Sequence, residues 1–210
     1  MARAMRALDW ERHPLGPPAL WPEELKVAMR ILLTSRFDTW LGWGDELYFF
    51  FNDAYRPTLG LKADSALGQP CRVVWAEIWD DVKDRMVAVM KRGESTWDRA
   101  LLLLLERAGY PEETYHTFSY SPLQRGDGSV GGLHCTVSED TDRVINERRL
   151  DAMRRLAMGL AAATSRPEVF DAARVALQDT ARDLPFALAY TFSDPSGSAE
   201  LAFACGVEKG

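Results

Sequence analysis

The longest strongly apolar run in the chain is Leu101 to Leu105, five leucines between Ala100 and Glu106. It falls well short of the roughly 20 residues a membrane span needs. Two strand-like segments follow it. The stretch "ETYHTFSYSPL" alternates, and "SVGGLHCTV" comes directly after Gly126-Asp127-Gly128, a strong hairpin signal. The run therefore reads as the first of three antiparallel strands. A helical reading is allowed by the propensity of leucine but fits the neighbouring turns less well. In a strand, alternate side chains share a face. Trp97, Arg99, Leu101, Leu103 and Leu105 are expected on one side, and Asp98, Ala100, Leu102 and Leu104 on the other. Which set meets the core stays open at this level. A strand apolar on both faces must be covered twice, so the run is expected at the centre of its sheet, with a helix or a partner protomer on its outer face.

That helix is predicted over 22–34. Pro22, Glu23 and Glu24 make a favourable first turn, and Leu25, Ala28, Met29, Leu32 and Leu33 follow at helical spacing. The aromatic runs within 39–52 flank Trp43-Gly44-Asp45-Glu46 and read as a hairpin. A short helical turn ending near Gly60 comes next, then short helical pieces over 65–79 broken by Pro70. The segment 79–93 reads as a longer helix, with Val82, Met86, Val89 and Met90 on one side and Gly93 as its stop. From Glu139 to Ser165 there is no proline. Asn146, Leu150, Met153, Ala157, Leu160 and Thr164 form a coiled-coil-like stripe. A further helix is expected over 167–183, followed by a hairpin around Asp194-Pro195-Ser196-Gly197.

Composition narrows the functional classes. The 210 residues are 47% hydrophobic and 27% charged, with a net charge of −6. That balance argues against a nucleic-acid-binding face. Three widely spaced cysteines suit a reducing compartment. The charged N-terminus has no apolar core of signal-peptide length. A cytoplasmic location without membrane association is the expectation. No phosphate-cradling loop, zinc motif or Cys-x-x-Cys pair is present, so this segment is not expected to be an enzyme. His13, before a proline, reads as an exposed loop histidine. His116 and His134 read as hydrogen-bonded sheet histidines.

Several local motifs resemble those of PAS domains, in the same order. "DELYFFFNDAYRPTLG" is similar to the PAS opening, with Asn52, Ala54, Leu59 and Gly60 at the motif positions. "ALGQP" (66–70) is similar to its hydrophobic-Gly-x-Pro step. "FSYSPLQRGDGSVGGLHCTVSEDTD" resembles the last hairpin and exit, with Glu139-Asp140-Thr141-Asp142 in place of the Asp-x-Thr signal. "PLGPPALWPEELKVAMRILLTSRF", "WAEIWDDV" and "GYPEETYHTFSYSP" resemble the N-terminal PAS module of bacterial sensor histidine kinases. Residues 167–210 resemble the first helix and first two strands of a GAF domain.

The resemblance implies an α+β fold: an antiparallel five-stranded sheet with short helices on one face, an N-terminal flanking helix and a C-terminal signalling helix. The organisation expected is an N-terminal loop and flanking helix (1–34), a PAS domain (35–141), a linker helix (142–165) and the start of a GAF-like domain (166–210), cut within that domain. The implied role is a sensory module of a two-component protein that relays a conformational change into GAF and kinase domains. A ligand-free interaction module is the alternative.

A pocket is expected between the sheet and segment 54–79, with Trp40, Tyr55, Cys71, Trp75, Trp79, His116 and Phe118 as candidates for a small-molecule ligand. A homodimer is expected through Leu25, Met29 and Leu32 of the flanking helix and Leu150, Met153, Ala157 and Leu160 of the linker helix. "GQPCRVVW" aligns with the cysteine motif of flavin-binding light sensors, but Pro70 and Trp75 replace its Asn and Gln. The chain has only Asn52 and Asn146 as asparagines, and no Asn or Gln is expected on the central strands to meet a flavin edge. The helix 79–93 has no histidine for haem. No cofactor or metal is predicted, and flavin or haem sensing is the weaker alternative.

Overall fold

The structure is a computed structural model that describes residues 1–178, 180–192 and 199–207. The chain divides into two units, Met1–Thr141 and the residues from Asp142 onward. The first unit is α+β. Its elements are α1 (Ala2–Ala7), α2 (Glu23–Thr34), β1 (Thr39–Trp43), β2 (Tyr48–Phe51), α3 (Arg56–Leu59), α4 (Cys71–Val74), α5 (Trp79–Arg92), β3 (Thr96–Leu105), β4 (Glu112–Gln124) and β5 (Val130–Glu139). The strands form one antiparallel sheet in the order β2-β1-β5-β4-β3. Short helices lie against one face and α2 against the other, the architecture implied by the PAS-like motifs.

The hydrophobic pattern explains the two layers. Phe49, Phe50 and Phe51 are successive strand residues, yet all three are fully buried. Their side chains alternate between faces, so β2 has to be covered on both. Phe49 packs inward against Trp40, with ring centroids 5.0 Å apart. Phe50 points outward, where Trp10 stacks on it at 5.7 Å and Trp21 meets it edge-on at 5.5 Å. Both indole N–H groups donate to backbone carbonyls, Trp10 to Met5 at 2.6 Å and Trp21 to Gly16 at 2.9 Å. The N-terminal segment is thus a cover for the sheet. His13 belongs to that cover and is not the exposed loop residue expected. It is half-buried, its Nε2 lies 2.8 Å from the Gly68 carbonyl, and its ring packs against Tyr48.

The leucine strand lies elsewhere than expected. β3 is an edge strand, because β5 closes the sheet by pairing with β1 and leaves β3 beyond β4. α2 packs on β1 and β4, so it does not cover the outer face of β3. Leu104 is accordingly 53% exposed and Trp97 66%. The expected grouping of Trp97 with the odd-numbered leucines also fails. The register slips between Asp98 and Leu101, and Ala100 takes a left-handed φ of 48°. This bulge returns Asp98 to the inner side with Leu101, Leu103 and Leu105. Arg85 of α5 then clasps the Asp98 carboxylate, with Nη2 at 2.7 Å.

Leu25, Met29 and Leu32, expected at a dimer contact, are buried inside the first unit. The amphipathic stripe of α2 is spent on the sheet of its own chain. The more exposed apolar residues of that helix are Val27 and Ile31.

The second unit contains most of α6 (Thr141–Ala162), then α7 (Arg166–Gln178), β6 (Ala187–Phe192) and β7 (Ala199–Cys205), the strands paired antiparallel. α7 is shorter than the predicted 167–183. The chain turns at Thr180, whose hydroxyl donates to the Leu177 carbonyl at 2.8 Å. The expected turn around residues 194–197 lies outside the described residues. Asp183 is gripped by Arg148 through bonds of 2.7 and 3.0 Å. Among the described residues, no helix is long and apolar enough to cross a membrane.

Asn52 ties this fold together. Its Nδ2 donates to the carbonyls of Phe37 at 2.7 Å and Ser35 at 3.2 Å. Its Oδ1 accepts from the backbone N–H of Tyr55 at 2.9 Å. The side chain is buried, and its bond to the Tyr55 N–H is buried with it, so replacement leaves that donor without a partner. Asn52→Ala is expected to cost roughly 3 kcal/mol. Urea unfolding followed by tryptophan fluorescence measures this, and a loss below about 1 kcal/mol would show that the tie is dispensable.

Candidate functional site

The inner sheet face and the segment from α3 to α5 line a cavity of about 30 Å³. The sheet contributes Trp40, Leu103, Leu105, His116, Phe118, Tyr120, Cys135 and Val137. The helical side contributes Tyr55, Thr58, Trp75, Ile78 and Val82. Strand register brings the sheet residues together. Trp40 lies opposite Cys135, Cys135 opposite Tyr120, and Phe118 opposite Val137. On the helical side, Asn52 fixes the backbone of Tyr55. Lys62 lies over the Trp75 ring, 4.1 Å from its centroid.

His116 is the unusual member of this wall. It is 2% exposed, and neither ring nitrogen has a hydrogen-bond partner among the described residues. The sequence led us to expect a hydrogen-bonded sheet histidine. Its cross-strand neighbours explain the difference. Leu101 has no polar group to offer. Glu139, on the other side, is already engaged: it accepts from Arg107 at 2.9 Å and from the Thr141 hydroxyl at 2.8 Å. His134, on the outer face, likewise has a buried Nε2 without a partner. Leaving buried polar groups unpaired costs on the order of 1–3 kcal/mol each.

The electrostatics of the wall point one way. Burial lowers the pKa of His116 and raises those of Tyr55, Tyr120 and Cys135. Each of these groups is held in its neutral form near pH 7. The lining contains no carboxylate, ammonium or guanidinium.

Of the expected pocket residues, Trp40, Tyr55, Trp75, His116 and Phe118 meet at this cavity. Cys71 and Trp79 do not line it. The Cys71 thiol points to the Met86 sulfur at 4.0 Å, and burial pushes its pKa well up. Trp79 opens α5 and packs against the edge of the core. Tyr120 and Val82 were legible, the first by alternation from Phe118 and the second as a member of the α5 stripe. Thr58 carried no sequence signal.

The wall does not fit a flavin or haem. Ligand pockets for such groups run to roughly 300–1,000 Å³, far above the cavity here. It contains no Asn or Gln, and Cys71 stands outside it. Gln124 does fall within β4, at its far end beside α2. Among the described residues, no cluster of three or more His, Cys, Asp or Glu could hold a metal.

A second arrangement adjoins the cavity. β4 alternates, so Tyr115 and Thr117, beside His116, face outward. The Tyr115 N–H donates to the Thr141 hydroxyl at 3.0 Å, and its carbonyl accepts from the Asp140 N–H at 2.7 Å. The Thr117 hydroxyl donates to the Asp140 carboxylate and accepts from the N–H of Ala100 in the β3 bulge at 2.9 Å. One strand therefore carries the cavity histidine and holds the start of α6. Within α6, Leu150, Met153, Ala157 and Leu160 are all exposed.

No family model matches the chain, and no curated protein matches it. Solved structures do. One is an RNA-binding light-oxygen-voltage receptor, with a TM-score of 0.46, 19% identity and coverage of 70% of this chain and 42% of that one. This chain thus spans less than half of that receptor. Another is the LOV protein of Rhodobacter sphaeroides, with a TM-score of 0.47, 16% identity and coverage of 76% and 93%. A third is a PAS domain from a Colwellia psychrerythraea protein, with a TM-score of 0.43, 12% identity and coverage of 56% and 98%. At these identities the likeness concerns the fold and assigns no ligand, signal or partner to this chain.

The buried histidines make stability depend on pH. A folded-state pKa below the unfolded value near 6.5 means that the unfolded chain binds more protons between the two values. The stability this contributes is complete above about pH 6.5. It is lost as pH falls from there through the folded-state pKa. The charges of Glu139, Arg107 and Asp140 modulate the shift, but burial dominates it. Urea unfolding between about pH 5 and 8 should show stability rising with pH. His116→Leu should flatten part of that slope, and an unchanged slope would remove His116 as a source.

Proposed function

We propose that this chain is a sensory module of a bacterial two-component signalling protein, in which the inner cavity receives a signal and α6 carries the response onward. The observation supporting this reading is the double engagement of β4, with His116 at the cavity and Tyr115 and Thr117 on Asp140 and Thr141. A signal that favours one arrangement of β4 would shift the population of conformations at the head of α6. In this reading the protein is cytoplasmic and non-enzymatic over these residues. The second unit is the start of a GAF-like domain, its helix and strand pair leading toward a kinase output. The exposed α6 side chains Leu150, Met153, Ala157 and Leu160 serve a homodimer contact.

The alternative is an interaction module whose core is filled by its own side chains. The small cavity and the dense packing of Trp40, Phe49, Phe118 and Tyr120 favour it.

Hydrogen exchange separates the two. His116→Leu perturbs the cavity wall directly. In a sensor, it should change the exchange of amides over 141–146 by about fivefold or more. Adding Thr117→Val should abolish the change, because the valine has no hydroxyl to hold Asp140. An interaction module predicts no change over 141–146 in either variant.

A further inference from the structure

The inner cavity makes a specific chemical demand. His116 presents two unpartnered nitrogens from a position 98% out of solvent, and its ring lines the cavity. Natural cores rarely leave such groups unpaired, because a polar ring without partners is worse than a leucine of similar size. Tyr55, Thr58 and Tyr120 add hydroxyl-bearing side chains to the same wall. The rings of Trp40, Trp75 and Phe118 line it as well. This arrangement combines hydrogen-bonding groups with an apolar shell and has no charge to neutralise a charged guest. A cavity of about 30 Å³ accepts an occupant of very few non-hydrogen atoms.

We propose that the cavity binds a compact, uncharged, hydrogen-bonding molecule against His116, with water as its resting occupant, and that it rejects anions and cations. An isolated charge placed here would lose its hydration, and the charges nearest His116, Glu139 and Arg107, are already paired with each other. A purely apolar occupant would leave His116 as it is. The proposal deepens the sensory reading by giving the chemical class of the signal, and as a statement about binding it is tested separately from the relay.

The test uses the full 210-residue chain and three small probes. Formamide is neutral and hydrogen-bonding, formate is its anionic counterpart of similar size, and methylammonium is the cation. Binding is followed by the ring-nitrogen resonances of His116 at about pH 8, where that ring is neutral. With so few atoms in the probe, the expected affinity is millimolar at best. Formamide should shift the His116 nitrogens in a saturable way. Formate and methylammonium should bind at least about tenfold more weakly. His116→Leu should weaken formamide binding by about tenfold, read from backbone amides around the cavity. The same substitution should raise the Tm by a few degrees, so loss of binding would not reflect misfolding. The proposal is overturned if formate or methylammonium binds as well as formamide, if His116→Leu leaves formamide binding unchanged, or if no probe saturates. Saturable formamide binding without any change in exchange over 141–146 would instead refute the sensory reading and leave the binding site standing.

Discussion

The amide side chain of Asn52 is the point on which both layers of the first unit depend. It accepts from Tyr55 on the cavity side and donates to Ser35 and Phe37 in the link between α2 and β1. The outer cover and the inner cavity are otherwise separated by the sheet. A single buried amide couples the path of the chain leaving α2 to the placement of a ring in the cavity wall. This explains why an asparagine stands at the end of a strand of three phenylalanines. An apolar residue would fill the space and leave the buried Tyr55 N–H without its partner.

Much of this architecture was legible from pattern alone. The hairpins, the short helices and α5 follow from alternation, helical spacing and turn residues, and Gly93 ends α5 with a φ of 66° as expected. The position of the leucine strand was not legible. A run apolar on both faces signals burial, but the order of strands in a sheet depends on which distant segments pair. Here β5 pairs with β1, a choice made by contacts across most of the unit. The bulge at Ala100 was equally hidden. No glycine marks it, and its cause lies in β4 and just past the end of β5. Thr117 receives the Ala100 N–H, and Asp140 receives the Thr117 hydroxyl.

The cavity shows the same division. Five of the seven residues expected at a pocket do meet there, because aromatic and histidine positions at strand spacing point to the inner face. Cys71 was drawn in by a motif resemblance. Its thiol instead lies against Met86 in apolar surroundings, where it acts as a small hydrophobe. His116 departs from its expected hydrogen bonding for a physical reason. A sequence can place a histidine on a strand face, but satisfaction of its nitrogens depends on what the neighbouring strands still have free. Glu139 stands opposite His116, and Arg107 and Thr141 have already taken its carboxylate.

That competition has a consequence for coupling. Glu139 is the one acidic side chain directly across from His116, and it is also bound to Thr141 at the head of α6. While Arg107 and Thr141 hold it, no protein group pairs with His116. In the proposed sensory reading, a guest that satisfies His116 would remove any gain from drawing Glu139 toward the ring, and so would favour the arrangement in which Glu139 holds Thr141. Loss of the guest would restore the opposite pull. The two states of that reading would differ by one hydrogen-bonding choice of a single carboxylate, a difference of about 1–3 kcal/mol for a charge-assisted bond, which is the range over which coupled sites typically communicate. Neither the cavity nor the exit junction would supply this alone. It follows from their sharing β4 and the residue paired beside it.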